Sequence, residues 1–341
     1  MIIYNLVSQI FNSIVNYRNH GYNSGKYKIL DCGKPLISVG NISSGGSGKT
    51  PFVLMLADEF IKAGYRPAII GRGYKKIKKG EVIVSDGVST FVGATEAGDE
   101  MFMLASRLKV PIVANEDKKL AALSAVKLFN PDLIILDDGF QHRSLKRDID
   151  IVLIDRESIE RPFLLPKGRL REPFESLLRS DYICINENLQ NEINNFIVFD
   201  DNKKVVFKNS DYNYIFIESG ESATEAQLDI ARKSSLIVSG IAHSEIFLQS
   251  LKNNNFNTRF ELAFEDHHNY SEKDIKRIIN ICLKNNLKYI ITTDKDAVKL
   301  INFHKSLKQN DISCIISRFD VFIIGKRDSF INNLITKLNL K

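Results

Sequence analysis

The chain has 341 residues, 44% of them hydrophobic and 26% charged, which argues against disorder and makes two domains the expectation. Its 47 basic and 41 acidic residues leave a net charge of +6, a mild excess that suits anionic partners such as nucleotide, phosphorylated substrate or acidic lipid. No nucleic-acid-binding pattern stands out, and Cys32, Cys184, Cys282 and Cys314 form no C-x-x-C pair, so a disulfide framework or cysteine metal cluster is not expected and a reducing compartment is.

Ile2 to Tyr17 place Ile3, Leu6, Val7, Ile10, Phe11, Ile14 and Val15 at helical spacing opposite Asn5, Ser8, Gln9, Asn12 and Asn16, which predicts an amphipathic helix. The polar positions interrupt the ~20-residue apolar run that a membrane span requires. Such a helix either packs on the protein's own core or dips into a membrane surface; an amide-rich polar face favours the first, and the cations Arg18, Lys26, Lys28 and Lys34 favour the second.

Leu36 to Thr50 read as a strand, a phosphate loop and a helix start. Gly45, Gly46, Ser47 and Gly48 would gather backbone N–H groups around a polyphosphate, Lys49 would reach the β/γ-phosphates, and Thr50 would ligate Mg²⁺. Ser43 stands where the strict pattern has glycine.

A second strand, Arg66–Ile70, leads to Gly71-Arg72-Gly73-Tyr74 and the basic run Lys75, Lys76, Lys78 and Lys79, either a solvated loop or a surface for anionic lipid or substrate phosphate. Val82–Val84 and Phe91-Val92 bracket a turn at Asp86-Gly87 and suggest a hairpin. Asp99 opens a helix and has the position of a cap, with a role at a reaction centre as the alternative. After a strand near Val110–Val113 and a helix over 118–129, the run Leu133–Leu136 ends in Asp137-Asp138, as a buried parallel strand does when it delivers an acid to the Mg²⁺ beside a phosphate loop. Another buried strand, Ile149–Asp155, precedes Lys167, Arg169 and Arg171 in a loop suited to an anion. The alternation ends at Tyr182–Ile185 and makes the class α/β: a P-loop NTPase-type, doubly wound, mainly parallel sheet.

The composition turns rich in Asn, Gln and Glu from about Asn186. The expected organisation is an N-terminal helix over 1–30, a phosphate-loop domain over 31–203, a hairpin linker over 204–218 pairing Val205–Phe207 with Tyr214–Ile217, and a second, smaller α/β domain over 219–341. In that domain His267 and His268 follow two acids; neighbours in sequence do not share a helical face, so they are either a satisfied surface pair or a source of one histidine hydrogen-bonded to a carboxylate in a cleft. Thr293 to Ala297 either cap a helix or also serve the cleft.

Taken together, Gly45 through Pro51, Gly71 through Tyr74, Gly98-Asp99-Glu100, Asp137 through His142, Leu165-Pro166 through Pro173, Asp266-His267-His268 and Thr292 through Ala297 resemble, in order, the tetraacyldisaccharide 4′-kinases that act in lipid A synthesis. The one departure is Asp294, where that family more often has Glu. The resemblance implies phosphoryl transfer from ATP with Mg²⁺ to the 4′-hydroxyl of an acylated glucosamine disaccharide 1-phosphate, with the N-terminal helix docking the chain on the cytoplasmic face of the bacterial inner membrane; a monomer is expected separately. It implies Asp99 as base with His267 as its partner, Lys49 on the phosphates, Thr50 with Asp137 or Asp138 on the metal, and Arg171, Arg72 or Lys167 steadying charge. Among alternatives, switch ATPases of the Gly-Gly-x-Gly-Lys-Thr type carry lysine where this chain has Ser44, guanine readers use Asn-Lys-x-Asp where it has Asp294-Lys295-Asp296-Ala297, and a lipid-binding scaffold would leave the phosphate loop without purpose.

Overall fold

A computed structural model describes residues 2–45, 48–325 and 327–340; Gly46 and Ser47 of the expected phosphate loop lie outside the described residues. The strands are β1 (Leu36–Asn41), β2 (Pro67–Gly71), β3 (Val82–Asp86), β4 (Pro111–Ala114), β5 (Leu133–Asp137), β6 (Ile149–Ile154), β7 (Tyr182–Asn186), β8 (Lys204–Asn209), β9 (Asn213–Phe216), β10 (Ser235–Ser239), β11 (Glu261–Ala263), β12 (Tyr289–Thr293), β13 (Ser313–Arg318) and β14 (Val321–Ile323). They make a nine-stranded sheet in the order β14-β8-β7-β6-β1-β5-β2-β4-β3 and a five-stranded sheet in the order β11-β10-β12-β13-β9.

In the larger sheet only the edge strands β3 and β14 run antiparallel to their neighbours. The inner strands are continuous apolar runs because helices cover both faces: Ile37, Val39, Ile135 and Ile151 enter one core, while Leu36, Ile134 and Leu136 enter another on the opposite side. The chain passes from β1 over β5 to β2, and later from β5 across β1 to β6. That reversal opens a crevice at the carboxyl ends of β1 and β5, where α/β sheets bind ligands.

Three expectations change. Val205–Phe207 and Tyr214–Ile217 form no hairpin: β8 pairs with β7 and β14 of the larger sheet, while β9 pairs with β13 of the smaller one. Both segments find a longer, better-buried edge than each could offer the other. The last residues leave the smaller unit, since β14 and the helix Arg327–Lys337 return to the larger sheet, where Phe330 packs on Tyr182 with ring centroids 5.0 Å apart. The turn at Asp86-Gly87 forms, but its return arm makes only an isolated bridge, Ser85 to Thr90, because β3 pairs with β4 instead.

The N-terminal helix runs from Ile2 to Asn23 and packs by its polar side. Ser8 Oγ donates to the Leu164 carbonyl (3.0 Å), Asn19 donates to Glu172 (2.8 Å), and Arg18 pairs with Glu172 at 3.4 Å. Ile3, Leu6, Val7, Ile10, Ile14 and Tyr17 are left exposed, Ile3 by 75%. Among the described residues no helix is long and apolar enough to cross a membrane.

Because Phe330 fills the core of the larger sheet from the far end of the chain, Phe330→Ala is expected to cost about 3 to 5 kcal/mol, measured by denaturant unfolding followed by circular dichroism.

Candidate active site

The phosphate loop leaves β1 at Asn41. Ser43 sits in extended backbone, bridged to Leu170, with its hydroxyl accepting from Asn41 Nδ2 (2.8 Å) and donating to Asp155. A residue there needs no left-handed backbone, so serine replaces the motif's glycine without strain. The left-handed position is Gly48, at φ 76, which caps the helix Lys49–Lys62; a side chain there would strain the turn.

β5 delivers Asp137 and Asp138 to the same point. Lys49 Nζ lies 3.4 Å from Asp138 Oδ1, and Arg171 Nη1 lies 3.0 Å from Oδ2. Burial works against the Asp138 charge, but Lys49, Arg171 and Lys118 outweigh it and hold the carboxyl well below its ordinary range. Asp138 also takes a left-handed φ of 50, a conformation that persists only where surroundings impose it. They do so through Lys118, whose buried ammonium donates to the carbonyls of Asp137 (3.1 Å) and Asp138. Asp137 is different. Burial, then Glu100 and Asp138, push its carboxyl up to about 7, and its Oδ1 has no hydrogen-bond partner among the described residues.

Asp99 is not a cap. It is the first residue of the helix Asp99–Arg107, whose N-cap is Gly98 at φ 84, and makes no capping bond. Its buried carboxylate instead faces the smaller unit, accepting from His267 Nδ1 (2.9 Å) and pairing with Lys299 (2.8 Å). Lys295 Nζ is 3.0 Å from His267 Nε2. An ammonium can only donate, so Nε2 is the acceptor and Nδ1–H points at Asp99. Burial would raise Asp99, yet the hydrogen bonds from His267 and Lys299 win and lower it. His268 turns away to Asp274 (3.2 Å) and stacks on Phe264.

Thr293 to Ala297 do more than cap. Thr293 Oγ1 accepts from Asp296 N–H, Asp294 pairs with Arg107 across the two units, and Lys295 orients His267. Of the other expected cations, Arg171 reaches the site, Arg72 is exposed, and Lys167 lies over the Phe163 ring.

A cleft of about 390 Å³ runs between the units, lined by Gly45, Gly48, Lys49, Thr50, Glu100 and Lys295, with Ile246, Phe247 and Phe319 on its apolar side. Its size is that of a small-molecule site. A larger hollow, about 590 Å³, lies between the N-terminal helix and residues 162–175; of the expected site cations Lys167 lines it, and none of the cleft's residues does. Among the described residues no three His, Cys, Asp or Glu side chains converge as metal ligands. The unpartnered, buried Asp137 Oδ1 is nonetheless an oxygen of the kind Mg²⁺ takes, since that ion binds one or two carboxylates with phosphate oxygens and water.

The family model described as LpxK: Tetraacyldisaccharide-1-P 4′-kinase matches residues 2–339. The chain belongs to the tetraacyldisaccharide 4′-kinase family. Curated relatives of that name include one from Halothermothrix orenii, 35% identical over 322 residues that cover 88% of this chain and 83% of that protein. Another, from Aquifex aeolicus, is 35% identical and covers 89% of this chain and 91% of its own length. A crystal structure of LpxK from Aquifex aeolicus in complex with ATP aligns over 97% of both chains with a TM-score of 0.78 at 32% identity. As a member of this family the chain is a kinase acting on a lipid disaccharide, and the doubly wound fold expected from its sequence is the one observed.

Sequence reasoning missed Lys118, Lys299 and the part played by Glu100. Lys118 had a signal: a lysine opening a helix opposes the helix dipole and needs another reason to be there. Lys295 and Lys299 repel at i,i+4 spacing unless an anion lies between them.

Asp137 binds its proton more tightly folded than unfolded, so its contribution to stability is complete below about pH 4 and lost as pH rises through about 7. Asp137→Asn is therefore expected to gain in melting temperature over the unsubstituted chain across that window, in a pH series without nucleotide or metal.

Proposed function

We propose that the cleft binds ATP with Mg²⁺ and that Asp99 receives the proton of the substrate's 4′-hydroxyl as its oxygen attacks the γ-phosphorus and the bond to the leaving ADP breaks. The observation that carries this reading is the 2.9 Å hydrogen bond from His267 to Asp99, because it joins a base on one unit to its orienting group on the other, and Glu100 and Lys295, next to Asp99 and against His267, line the cleft with Lys49. Phosphoryl transfer asks mainly for alignment and charge neutralisation, so an oriented carboxylate suffices without being a strong base.

Gly45, Gly46, Ser47 and Gly48 with Lys49 would hold the phosphates. Thr50, Asp137 and Asp138 would hold Mg²⁺, and Asp137 has the open oxygen. When bound, the ion offsets charge on the β- and γ-phosphates. Arg171, held at Asp138, would turn to the transferring phosphate once nucleotide competes for it. We read residues 31–209 with 321–340 as the nucleotide lobe and 213–318 as the lobe that closes on it, excluding water from the transfer.

The acceptor is tetraacyldisaccharide 1-phosphate, and the product carries a second phosphate at its 4′ position. The outward apolar stripe of the N-terminal helix supports docking on the cytoplasmic membrane surface, since a soluble face would not expose Ile3, Leu6, Ile10 and Ile14 together. The chain would work there as a peripheral monomer.

Asp99→Asn and Asp99→Ala are expected to lower the transfer rate about 10²- to 10⁴-fold while ATP affinity stays within a fewfold, with binding and transfer measured separately; loss of nucleotide binding alone would sink the base assignment. Lys299 helps hold the Asp99 carboxyl down, so Lys299→Met is expected to move the acid limb of the kcat/KM profile to higher pH.

A further inference from the structure

The basic run after Tyr74 has no part in the chemistry above, yet it is held rigidly. Lys76 turns inward, its side chain only 1% exposed; it pairs with Glu116 at 2.8 Å and donates to the carbonyls of Lys78 and Gly80, the latter at 2.6 Å. Ile77 N–H donates to the Thr95 carbonyl (3.0 Å). One lysine is thus spent as an internal strut, and the loop it braces holds Ile77 outward, 71% exposed, with exposed Lys78 and Lys79 beside it. A braced loop that keeps an isoleucine in water forgoes the transfer free energy of that side chain unless something apolar covers it.

Its position says what covers it. The loop follows the carboxyl end of β2, the end of the sheet that also carries the phosphate loop and Asp137. Tyr74 lies against His267 with ring centroids 5.1 Å apart, and Lys75 Nζ donates to the Asp266 carbonyl (3.2 Å). The three residue steps from Tyr74 to Ile77 span at most about 10 Å, roughly the reach of a sugar headgroup. On the other side of β1 and β5, the N-terminal helix is tied through Ser8 to Leu164, in the segment beyond the carboxyl end of β6. Two outward apolar elements therefore flank the reaction centre on one end of the sheet, and this one is cationic.

We propose that Lys75–Lys79 form a second membrane contact, with Ile77 entering the interface of an anionic bilayer and Lys78 and Lys79 on its headgroups. The lipid surface is then presented directly to Asp99, and the acceptor keeps its acyl chains in the bilayer while its hydroxyl reaches the base. The proposal rests on the lipid-kinase reading of the site but is independent of the N-terminal helix.

The test is sedimentation of the full chain with vesicles of phosphatidylcholine, with and without 30% phosphatidylglycerol, paired with activity on substrate dispersed in detergent. A lysine near an anionic surface contributes about 1 kcal/mol, about fivefold in partitioning. K78Q/K79Q is expected to lower binding to the anionic vesicles by about twentyfold or more, and Ile77→Ser to lower it on both vesicle types, with detergent activity unchanged. Leu6→Ser/Ile10→Ser serves as the comparison for the N-terminal helix. If that variant releases the protein while the loop variants bind normally, the loop contact is wrong and helix docking stands. If K78Q/K79Q raises KM in detergent without affecting vesicle binding, the lysines meet substrate phosphate and the proposal is overturned. Loss of detergent activity in Asp99→Asn reports on the kinase reading alone.

Discussion

Four carboxylates, those of Asp99, Glu100, Asp137 and Asp138, have to stand together at one end of a sheet, and everything near them is shaped by the cost of doing so. Like charges in a half-dry crevice repel far more strongly than in water. The protein answers three of them in different ways: Asp138 is clamped between Lys49 and Arg171, Asp99 between His267 and Lys299, and Asp137 is left with an unpartnered oxygen and a carboxyl pushed up to about 7, partly by Glu100. The unequal treatment holds Asp99 and Asp138 in their charged form and leaves Asp137 the acid with an unpartnered oxygen.

The counter-charges come from both lobes. Lys49, Lys118 and Arg171 belong to the larger sheet, whereas Lys295 and Lys299, with His267 as a neutral hydrogen-bond donor, are delivered by the smaller one, behind Asp294 and Arg107 at the seam. The electrostatics thus favour the arrangement observed, because Asp99 without the smaller unit would lose both partners and Lys299 its anion. His267 adds a backbone constraint, at φ 64. That left-handed turn sends its ring toward Asp99 while His268, the next residue, faces its own lobe.

The larger sheet was legible because its strands are uninterrupted apolar runs ended by polar residues, as in Leu133 to Asp138, and such runs bounded by polar ends read as buried strands. The strand Leu36–Asn41 and the helix Lys49–Lys62 on either side of the glycine-rich loop were legible in the same way. What sequence could not show were pairings set by competition between partners. Val205–Phe207 and Tyr214–Ile217 look like a hairpin locally, yet each finds a larger sheet edge elsewhere. Asp99 has a cap's position in the chain but not its geometry, because Gly98 takes the cap and a histidine far along the chain takes the carboxylate. The N-terminal helix showed its two faces in sequence but not which one turns inward, since that depends on the polar surface formed by Leu164 and Glu172.

The route of the chain between the two sheets has a mechanical meaning. The smaller lobe is an insertion between β8 and β14, which pair with each other, and its entry and exit stay tied just beyond them, where Ser210 N–H donates to the Asp320 carbonyl at 2.8 Å and Asp320 N–H to Ser210 Oγ at 2.9 Å. A body carried on a two-stranded ribbon can flex out of the ribbon's plane but resists sliding within it. Were the smaller unit to swing as the proposed closure requires, departure and return would be confined to a single arc, and the imidazole would come back to the same carboxylate in the same orientation.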